Sequence, residues 1–279
     1  MKRIASIQDI SCLGRCSLTV ALPIISAMGV ECAIVPTAVL SAHTAFQNIT
    51  VCDLSDQLLP IARHWQSEKL HLDAIYTGYL ASAQQVDDVC AFFDLLGGED
   101  TLIFVDPAMA DHGRLYTGFG PDFPAAMAKV VSRADVAVPN LTEACLLTGT
   151  EYRETYDEAY IKGLLQAVAA LGAKQVILTG VSFACDEVGV MGYDSRTGEY
   201  FSYFNRKMPS IFHGTGDIFS SVVVGGLMRG LAMDAALRLA VDYVLECIRI
   251  TNRDETWYGV EFERAIPMLC ERLKTESND

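Results

Sequence analysis

Short apolar runs recur along the chain, and stretches with a helical spacing of apolar positions separate them. The runs are rich in β-branched residues and nearly uninterrupted, which is typical of strands covered on both faces in a parallel sheet. They predict strands at Arg3–Asp9, Cys32–Val39, Ala74–Tyr79, Thr101–Asp106, Ala134–Pro139 and Gln175–Gly180. The stretches between them predict helices at Ser17–Met28, Leu54–Trp65 and Ser82–Leu96. This alternation indicates right-handed strand–helix–strand crossovers.

The pattern changes after Gly180. Val188–Tyr193 and Glu199–Phe204 flank a turn-rich link, so we expect an antiparallel hairpin at one edge of the sheet. Apolar helices are predicted to follow at Asp217–Arg229, Ala232–Thr251 and Phe262–Leu273. Because no linker, repeat or low-complexity stretch interrupts the chain, we expect one α/β domain over residues 1–279. Its fold should be a three-layer α/β/α arrangement around a mostly parallel sheet.

The composition limits the classes of partner. Apolar residues make up 51% of the chain and charged residues 20%, which fits a folded globular protein rather than a disordered or fibrous one. Lys and Arg number 21 against 35 Asp and Glu, which gives a net charge of −14. Because so acidic a surface repels phosphate backbones and anionic lipids, we expect neither a nucleic-acid partner nor membrane binding.

The cysteines favour a reducing compartment. The nine cysteines are odd in number, scattered through apolar runs, and form neither a CxxC pair nor a zinc spacing with the five histidines. The economical interpretation is a set of reduced, mostly buried thiols in a cytoplasmic protein. The first residues turn polar too early for a signal peptide, and no run reaches the ~18 apolar residues of a spanning helix.

Polar residues and glycines gather just after the predicted strands. In an open α/β sheet the ligand crevice lies beyond the carboxyl ends of the strands. Loops are polar in any protein, so part of this signal is generic. The candidate positions at these ends are Asp9, Thr37, His43, Tyr79, Asp106, Asn140 and Thr179.

The sharpest segment is His213-Gly-Thr-Gly-Asp217, which leads into the predicted helix Asp217–Arg229. Small residues at a helix start let free backbone N–H groups point at an anion, which the helix dipole also favours. A carboxylate in the same turn would repel a phosphate that is only held there. It suits a base that accepts a proton from a substrate hydroxyl while neighbouring amides stabilise a transferring phosphoryl group. The alternative is a glycine turn in which Asp217 only complements the dipole.

Asp106 and Glu143 are the two acidic candidates for a metal site. Asn140 and Glu143 have the spacing of a capping box, which is the simpler interpretation. The alternative places both residues at a metal–phosphate cluster. Asp106 ends a predicted strand and with Glu143 could hold Mg²⁺ through water, although Asp-Pro is also a common strand-terminating turn. His43 could contact the ring or hydroxyl of a small substrate, or merely pack.

Several motifs are missing from the sequence. It has no GxxxxGK[ST], no GxGxxG after the first strand, and neither HExxH nor GxSxG. Their absence weighs against P-loop enzymes, dinucleotide-binding Rossmann domains, zincins and α/β-hydrolases.

Taken in order, the motifs resemble those of the ribokinase-like small-molecule kinases, and within them the pyridoxal/pyridoxamine (vitamin B6) kinases. The resemblance covers nearly the whole chain. It depends on SIQ at 6–8 with Gly14, SAHT at 41–44, TGYL at 77–80, DPAMAD at 106–111, PNLTEACLLTG at 139–149 and GTGD at 214–217. It implies a homodimeric kinase that uses ATP and Mg²⁺ to phosphorylate the 5′-hydroxymethyl group of pyridoxal, pyridoxamine or pyridoxine.

The resemblance also implies roles for the candidate residues. Asp217 matches the catalytic base, and the anion hole over the ATP phosphates matches Gly214, Thr215 and Gly216. Positions around the ATP phosphates match Asn140 and Glu143, those around Mg²⁺ match Asp106 and Glu143, and Thr179 matches a residue that touches the nucleotide. The pyridine pocket matches His43 and Tyr79, with Thr37 nearby and Asp9 as a further candidate. The segment 108–120 is the expected lid, which would exclude water.

Two positions depart from the resemblance. The relatives commonly have Ser-His where this chain has Asp9-Ile10, and often a glutamine where it has Val39. If Asp9 points into the pocket, its carboxylate could favour a protonated ring nitrogen or the amine of pyridoxamine.

The nearest alternative is a hydroxymethylpyrimidine kinase of thiamine synthesis, which shares the fold but typically has Cys at the position of Asp217. A non-catalytic nucleotide- or B6-binding module and a dinucleotide oxidoreductase are the remaining alternatives.

Overall fold

The structure, a computed structural model, describes residues 1–208, 212–252 and 256–276. Its strands, in chain order, are β1 (Arg3–Ser11), β2 (Glu31–Leu40), β3 (Val51–Asp53), β4 (Ala74–Thr77), β5 (Leu102–Val105), β6 (Ala110–Asp111), β7 (Arg114–Leu115), β8 (Val136–Ala137), β9 (Gln175–Val181), β10 (Glu187–Asp194) and β11 (Glu199–Arg206). Its helices are α1 (Leu18–Ala27), α2 (Ser55–Ser67), α3 (Ala83–Leu96), α4 (Phe123–Val131), α5 (Leu141–Thr148), α6 (Glu158–Ala169), α7 (Thr215–Met228), α8 (Met233–Ile250) and α9 (Ile266–Glu276). A 3₁₀ turn at Phe262–Ala265 precedes α9.

A nine-stranded sheet forms the middle layer, in the order β11-β10-β9-β8-β5-β4-β1-β2-β3. The inner strands from β9 to β2 all pair in parallel. At one edge β3 is antiparallel to β2, and at the other β10 and β11 form an antiparallel hairpin beside β9. The carboxyl ends of the parallel strands therefore meet at one end of the sheet, where the ligand crevice of such a fold lies.

Helices cover both faces of the sheet, because the inner strands are apolar on both sides. Ile75 of β4 packs towards α2–α6, whereas its neighbour Tyr76 packs towards α1, α7, α8 and α9. The same alternation in the other parallel strands divides the core into two apolar layers, one on each face. The predicted three-layer α/β/α fold with a mostly parallel sheet and an antiparallel edge hairpin is confirmed.

Some elements differ from the prediction. The strand predicted at Ala134–Pro139 is shorter than expected, because β8 contains only two residues. The last helix, predicted at Phe262–Leu273, is a 3₁₀ turn followed by α9, because Pro267 has no N–H to continue the turn into the helix. Five elements went unpredicted, namely β3, β6, β7, α4 and α6.

The cysteines correct one expectation. All nine are free, but Cys12, Cys52 and Cys185 are exposed and only Cys145 and Cys247 are fully buried. The prediction of mostly buried thiols is therefore wrong, because Cys12, Cys16 and Cys185 lie in loops and Cys52 lies in β3, which is exposed along its length. Among the described helices, none combines the length and apolarity needed to span a bilayer.

Candidate active site

The start of helix α7 is an open turn built on glycine. Gly214 is the N-cap, with a left-handed φ of +80°. A Cβ at this position would lie 1.9 Å from the carbonyl oxygen of Arg15, so only glycine lets the loop after β1 pass against the turn. A Cβ at Gly216 would meet no heavy atom within 4 Å. The first N–H groups of a helix have no intrahelical partner, so the segment Gly214–Thr215–Gly216 offers unpaired donors beside free space.

Asp217 lies in the first turn of α7 and is half-buried. Burial raises its pKa from an ordinary 3.8 to about 7, and the negative charge of Asp106 adds to the rise. A backbone contact from Ser17 opposes it. Ser17 itself has φ +51°, a sparsely populated region for a residue with a side chain. A carboxyl with a pKa near neutrality suits a general base that works at physiological pH.

Asp106 lies just beyond β5 and is joined to the same helix. Ser220, one turn after Asp217 on α7, donates a hydrogen bond of 2.8 Å from its hydroxyl to Asp106 Oδ2. Asp106 is 7% exposed, and burial raises its pKa to about 6. Ser220 is a residue that the sequence analysis missed, although its position three residues after Asp217 places both on one helix face. The strand end and the helix start thus bring two carboxyls together.

Asn140 and Glu143 form the capping box of α5. The Asn140 side chain accepts a hydrogen bond from the Glu143 N–H at 2.9 Å, and Glu143 Oε2 accepts one from the Asn140 N–H at 2.8 Å. Glu143 is 3% exposed, and its buried environment and the charge of Asp106 raise its pKa well above the usual range. The capping interpretation is confirmed, and the phosphate and metal roles of both residues stay predictions.

Asp106 and Glu143 differ in whether a carboxylate oxygen is free to bind Mg²⁺. Mg²⁺ keeps several waters and takes one or two carboxylates together with substrate phosphates. Asp106 fits, because Oδ1 accepts no hydrogen bond from the described residues. Glu143 does not fit as a direct ligand, because Oε1 and Oε2 both accept backbone N–H groups. The described part of the chain contains no cluster of three or more His, Cys, Asp or Glu arranged to hold a metal.

Thr179 lies next to the start of α5. It forms a parallel bridge with Asn140, and its N–H donates to the Pro139 carbonyl at 3.0 Å. This position at the end of β9 is compatible with the predicted contact to a nucleotide, which stays a prediction.

Asp9 is a buried carboxyl without a cationic partner among the described residues. It is 4% exposed and accepts a hydrogen bond of 3.0 Å from the Ser11 hydroxyl. Burial raises its pKa, and the Ser17 and Ser11 side chains oppose the rise. Its charge adds to the rise in the pKa of Asp217 and of Tyr79, so it lies near both groups.

Tyr79, just beyond β4, meets the predicted lid. Its ring centroid lies 5.4 Å from that of Phe119, which stacks on Phe123 at 3.9 Å. Burial, followed by the charge of Asp9, raises the pKa of Tyr79. Thr37, inside β2, has a fully buried hydroxyl with no hydrogen-bond partner among the described residues. Both side chains remain candidates for contacts to a substrate ring.

His43 is held by backbone groups on both ring nitrogens. Nδ1 accepts a hydrogen bond from the Ala45 N–H at 3.1 Å, so the proton lies on Nε2, which donates to the Tyr258 carbonyl at 2.9 Å. Burial lowers the pKa of His43, which keeps the ring neutral. Gly14 (φ +137°) passes so close that a Cβ there would lie 2.6 Å from His43 Cδ2. His43 can therefore offer a substrate its ring face or edge, whereas its nitrogens are already engaged.

An aromatic cluster around His43 was not predicted. The ring of Phe46 lies 5.2 Å from His43 and 4.7 Å from Trp257, and Tyr258 lies 5.8 Å from Phe46. Arg15 packs over the Tyr258 ring at 5.6 Å and pairs with Glu263. Except for His43–Phe46, these contacts join residues more than 200 positions apart, so local patterns in the sequence did not indicate them.

Comparison with known proteins identifies the family. Residues 21–260 match the model of a family described as phosphomethylpyrimidine kinase. The chain belongs to this family. A member of known structure is the Bacteroides thetaiotaomicron protein, crystallised with pyridoxal, whose name provisionally calls it a phosphomethylpyrimidine kinase. It is 35% identical, with a TM-score of 0.91, over 96% of this chain and 95% of that one.

Two further relatives have different names. The pyridoxal kinase of Lactobacillus plantarum is 31% identical, with a TM-score of 0.86, over 97% of both chains. The hydroxymethylpyrimidine/phosphomethylpyrimidine kinase of Streptomyces coelicolor is 30% identical over 65% of this chain and 64% of its own length. The match thus spans slightly less than two thirds of that curated relative. These likenesses confirm the resemblance to the pyridoxal kinases of the ribokinase-like superfamily.

Proposed function

We propose that the protein is an ATP-dependent kinase that phosphorylates the 5′-hydroxymethyl group of a B6 vitamer. The observation that supports this most directly is the half-buried Asp217, with a pKa raised to about 7, in the first turn of a helix whose start is open. A base and a phosphate-binding turn side by side are what phosphoryl transfer to an alcohol requires.

In the proposed reaction, Asp217 accepts the proton of the substrate hydroxymethyl group as its oxygen attacks the γ-phosphorus of ATP. The bond from the γ-phosphorus to the β–γ bridging oxygen breaks, and ADP leaves. The backbone N–H groups of Thr215 and Gly216 donate to the phosphoryl oxygens, on which negative charge is spread in the transition state. Ser220 holds Asp106 in place by its 2.8 Å hydrogen bond.

The charges of the site call for a cation. Asp9, Asp106 and Asp217 form no ion pair with a Lys, Arg or His among the described residues. ATP would add further negative charge to this cluster. A magnesium ion bound with the phosphates would supply the neutralising charge, and Asp106 is the residue with a free oxygen to hold it through water. Without a cation, keeping these three carboxylates in a partly or fully buried site is unfavourable.

The choice between a pyridine and a pyrimidine substrate rests on Asp217 and on the related proteins. The family match and the Streptomyces coelicolor relative favour a hydroxymethylpyrimidine kinase. Asp217 favours a B6 kinase, because the pyrimidine enzymes typically have Cys there. The Lactobacillus plantarum pyridoxal kinase and the Bacteroides thetaiotaomicron structure with pyridoxal support the same choice, since both match nearly the whole chain. We therefore favour the vitamer and keep hydroxymethylpyrimidine as the second candidate.

A substrate panel tests the proposal. Purified protein is incubated with Mg-ATP and, separately, pyridoxal, pyridoxamine, pyridoxine and hydroxymethylpyrimidine. ADP formation and the mass of the phosphorylated product are measured, with Asp217→Asn as the matched inactive control. We expect the 5′-phosphate of at least one vitamer at a kcat/KM above that for hydroxymethylpyrimidine. Preference for hydroxymethylpyrimidine would establish the second candidate, and turnover of none of the four would refute both.

A further inference from the structure

We propose that Thr142 and Glu143 are positioning residues. They attach the first part of the segment 108–120 to the start of α5 and so hold the segment over the site, and Glu143 is not a ligand of the metal. The inference deepens the proposed function by assigning one of its residues to a different task. The contacts themselves do not depend on the reaction that the site performs.

Glu143 binds the beginning of this segment through its backbone. Oε1 accepts hydrogen bonds from the N–H groups of Met109 at 3.1 Å and Ala110 at 3.5 Å. Oε2 accepts from the Asn140 N–H at 2.8 Å. A carboxylate has about four acceptor positions, so backbone donors fill three of them. Because the residue is 3% exposed, burial raises its pKa, and these backbone hydrogen bonds oppose that rise.

Two neighbours extend the same attachment. The Asn140 side-chain amide donates to the Ala110 carbonyl at 2.8 Å. The Thr142 hydroxyl accepts from the Gly113 N–H at 2.9 Å. Gly113 lies in the turn between β6 and β7, whereas Ala110 begins β6. The start of α5 therefore holds both the first strand and the turn of this small hairpin.

The far end of the segment reaches the predicted pyridine pocket. Phe119 stacks on Phe123 and contacts the Tyr79 ring. Between the two attachments, the Tyr116 N–H donates to the Met109 carbonyl at 2.9 Å. The segment is thus fixed at α5 and reaches from Glu143 to the Tyr79 ring. If the attachment to α5 is lost, the segment 108–120 no longer covers the site correctly. Water then enters the site, and transfer of the phosphoryl group to the substrate becomes slower.

Three variants separate a positioning role from a metal role. Glu143→Gln keeps the size of the side chain but loses its charge. With its oxygen kept on the Asn140 N–H of the capping box, its NH₂ group faces the Met109 and Ala110 N–H groups and cannot accept from them. Thr142→Val removes the acceptor for Gly113, at a residue with no predicted metal role. Asp106→Asn alters the residue that has a free oxygen for Mg²⁺. Two quantities are measured for each variant: hydrogen–deuterium exchange of amides 109–115 in the free protein, and the Mg²⁺ concentration that gives half-maximal turnover with ATP.

We expect Glu143→Gln and Thr142→Val each to speed exchange of the hairpin amides by about tenfold, the effect of losing one such hydrogen bond. Their Mg²⁺ requirement should stay within about twofold of the parent value. Asp106→Asn should show the reverse, with unchanged hairpin exchange and a raised Mg²⁺ requirement.

The inference is overturned if Glu143→Gln leaves hairpin exchange unchanged, or if it raises the Mg²⁺ requirement as Asp106→Asn does. The exchange experiment needs no substrate. If the parent protein phosphorylates nothing in the panel, the proposed function fails while the positioning role is still decided by the exchange rates, with Thr142→Val as the second test if Glu143→Gln does not fold.

Discussion

Replacing Asp217 with Asn should make the protein inactive and more stable at the same time. In the folded protein the ionised carboxyl is unfavourable, since burial and the charge of Asp106 raise its pKa from 3.8 to about 7. At about 1.36 kcal/mol for each pKa unit, the upper limit of the penalty is about 4 kcal/mol. Solvent still reaches this half-buried side chain, so we take roughly half of that, about 2 kcal/mol. The amide of Asn has the shape of the protonated acid and no ionisation penalty.

The gain in stability should depend on pH in a defined direction. Between about pH 4 and pH 7 the folded protein retains the Asp217 proton while the unfolded chain loses it, so the unfolded state binds fewer protons. The parent protein therefore loses stability as the pH rises through this window, and Asp217→Asn does not. The variant should gain about 2 kcal/mol at pH 8, or about 4 °C in Tm for a chain of this size, and less than half of that at pH 5.

Thermal unfolding of both proteins at pH 5 and pH 8 measures this gain. Asp100→Asn, which removes an exposed carboxylate in the loop after α3, is the matched control and should shift Tm equally little at both pH values. The same Asp217→Asn protein should lose roughly 10²–10⁴ in kcat with a small change in KM, because the base acts in the transition state. A stability gain that is equal at both pH values, or retained turnover, would refute the assignment of Asp217 as a partly buried base with a raised pKa.

The remaining predictions concern the phosphate site, the vitamer pocket and the metal. Gly216→Val should abolish ATP binding in a calorimetric titration while the fold survives, because its side chain would fill the open space at the start of α7; unchanged affinity would place the phosphates elsewhere. Asp9→Ser should lower the ratio of kcat/KM for pyridoxamine to that for pyridoxal, because a buried carboxylate favours a cationic substrate; an unchanged ratio would count against a role in specificity. EDTA should abolish turnover and added Mg²⁺ restore it, and activity without metal would exclude the role proposed for Asp106.

Local patterns in the sequence determined much of the fold. The parallel strands follow from uninterrupted apolar runs rich in β-branched residues, and the edge hairpin follows from two runs that flank a turn-rich link. Both patterns involve only near neighbours in the chain. Helix α6 has apolar residues at Ile161, Leu164, Leu165 and Val168, the spacing of an amphipathic helix, so it was predictable although it was missed. The turn before Asp217 was also visible, because a left-handed residue beside a close backbone requires glycine.

Only the tertiary structure decided which partner each polar side chain has. β3 is exposed along its whole length and is a strand because β2 offers it an edge. Ser220 reaches Asp106 across 114 residues, Glu143 reaches Met109 across 34, and His43 reaches the Tyr258 carbonyl across 215. No periodicity records such contacts, because each depends on how far strands and loops have brought distant segments together. From the sequence alone, a carboxylate that binds a metal cannot be distinguished from one that holds a loop. The backbone N–H groups that surround the carboxylate in the fold distinguish the two roles.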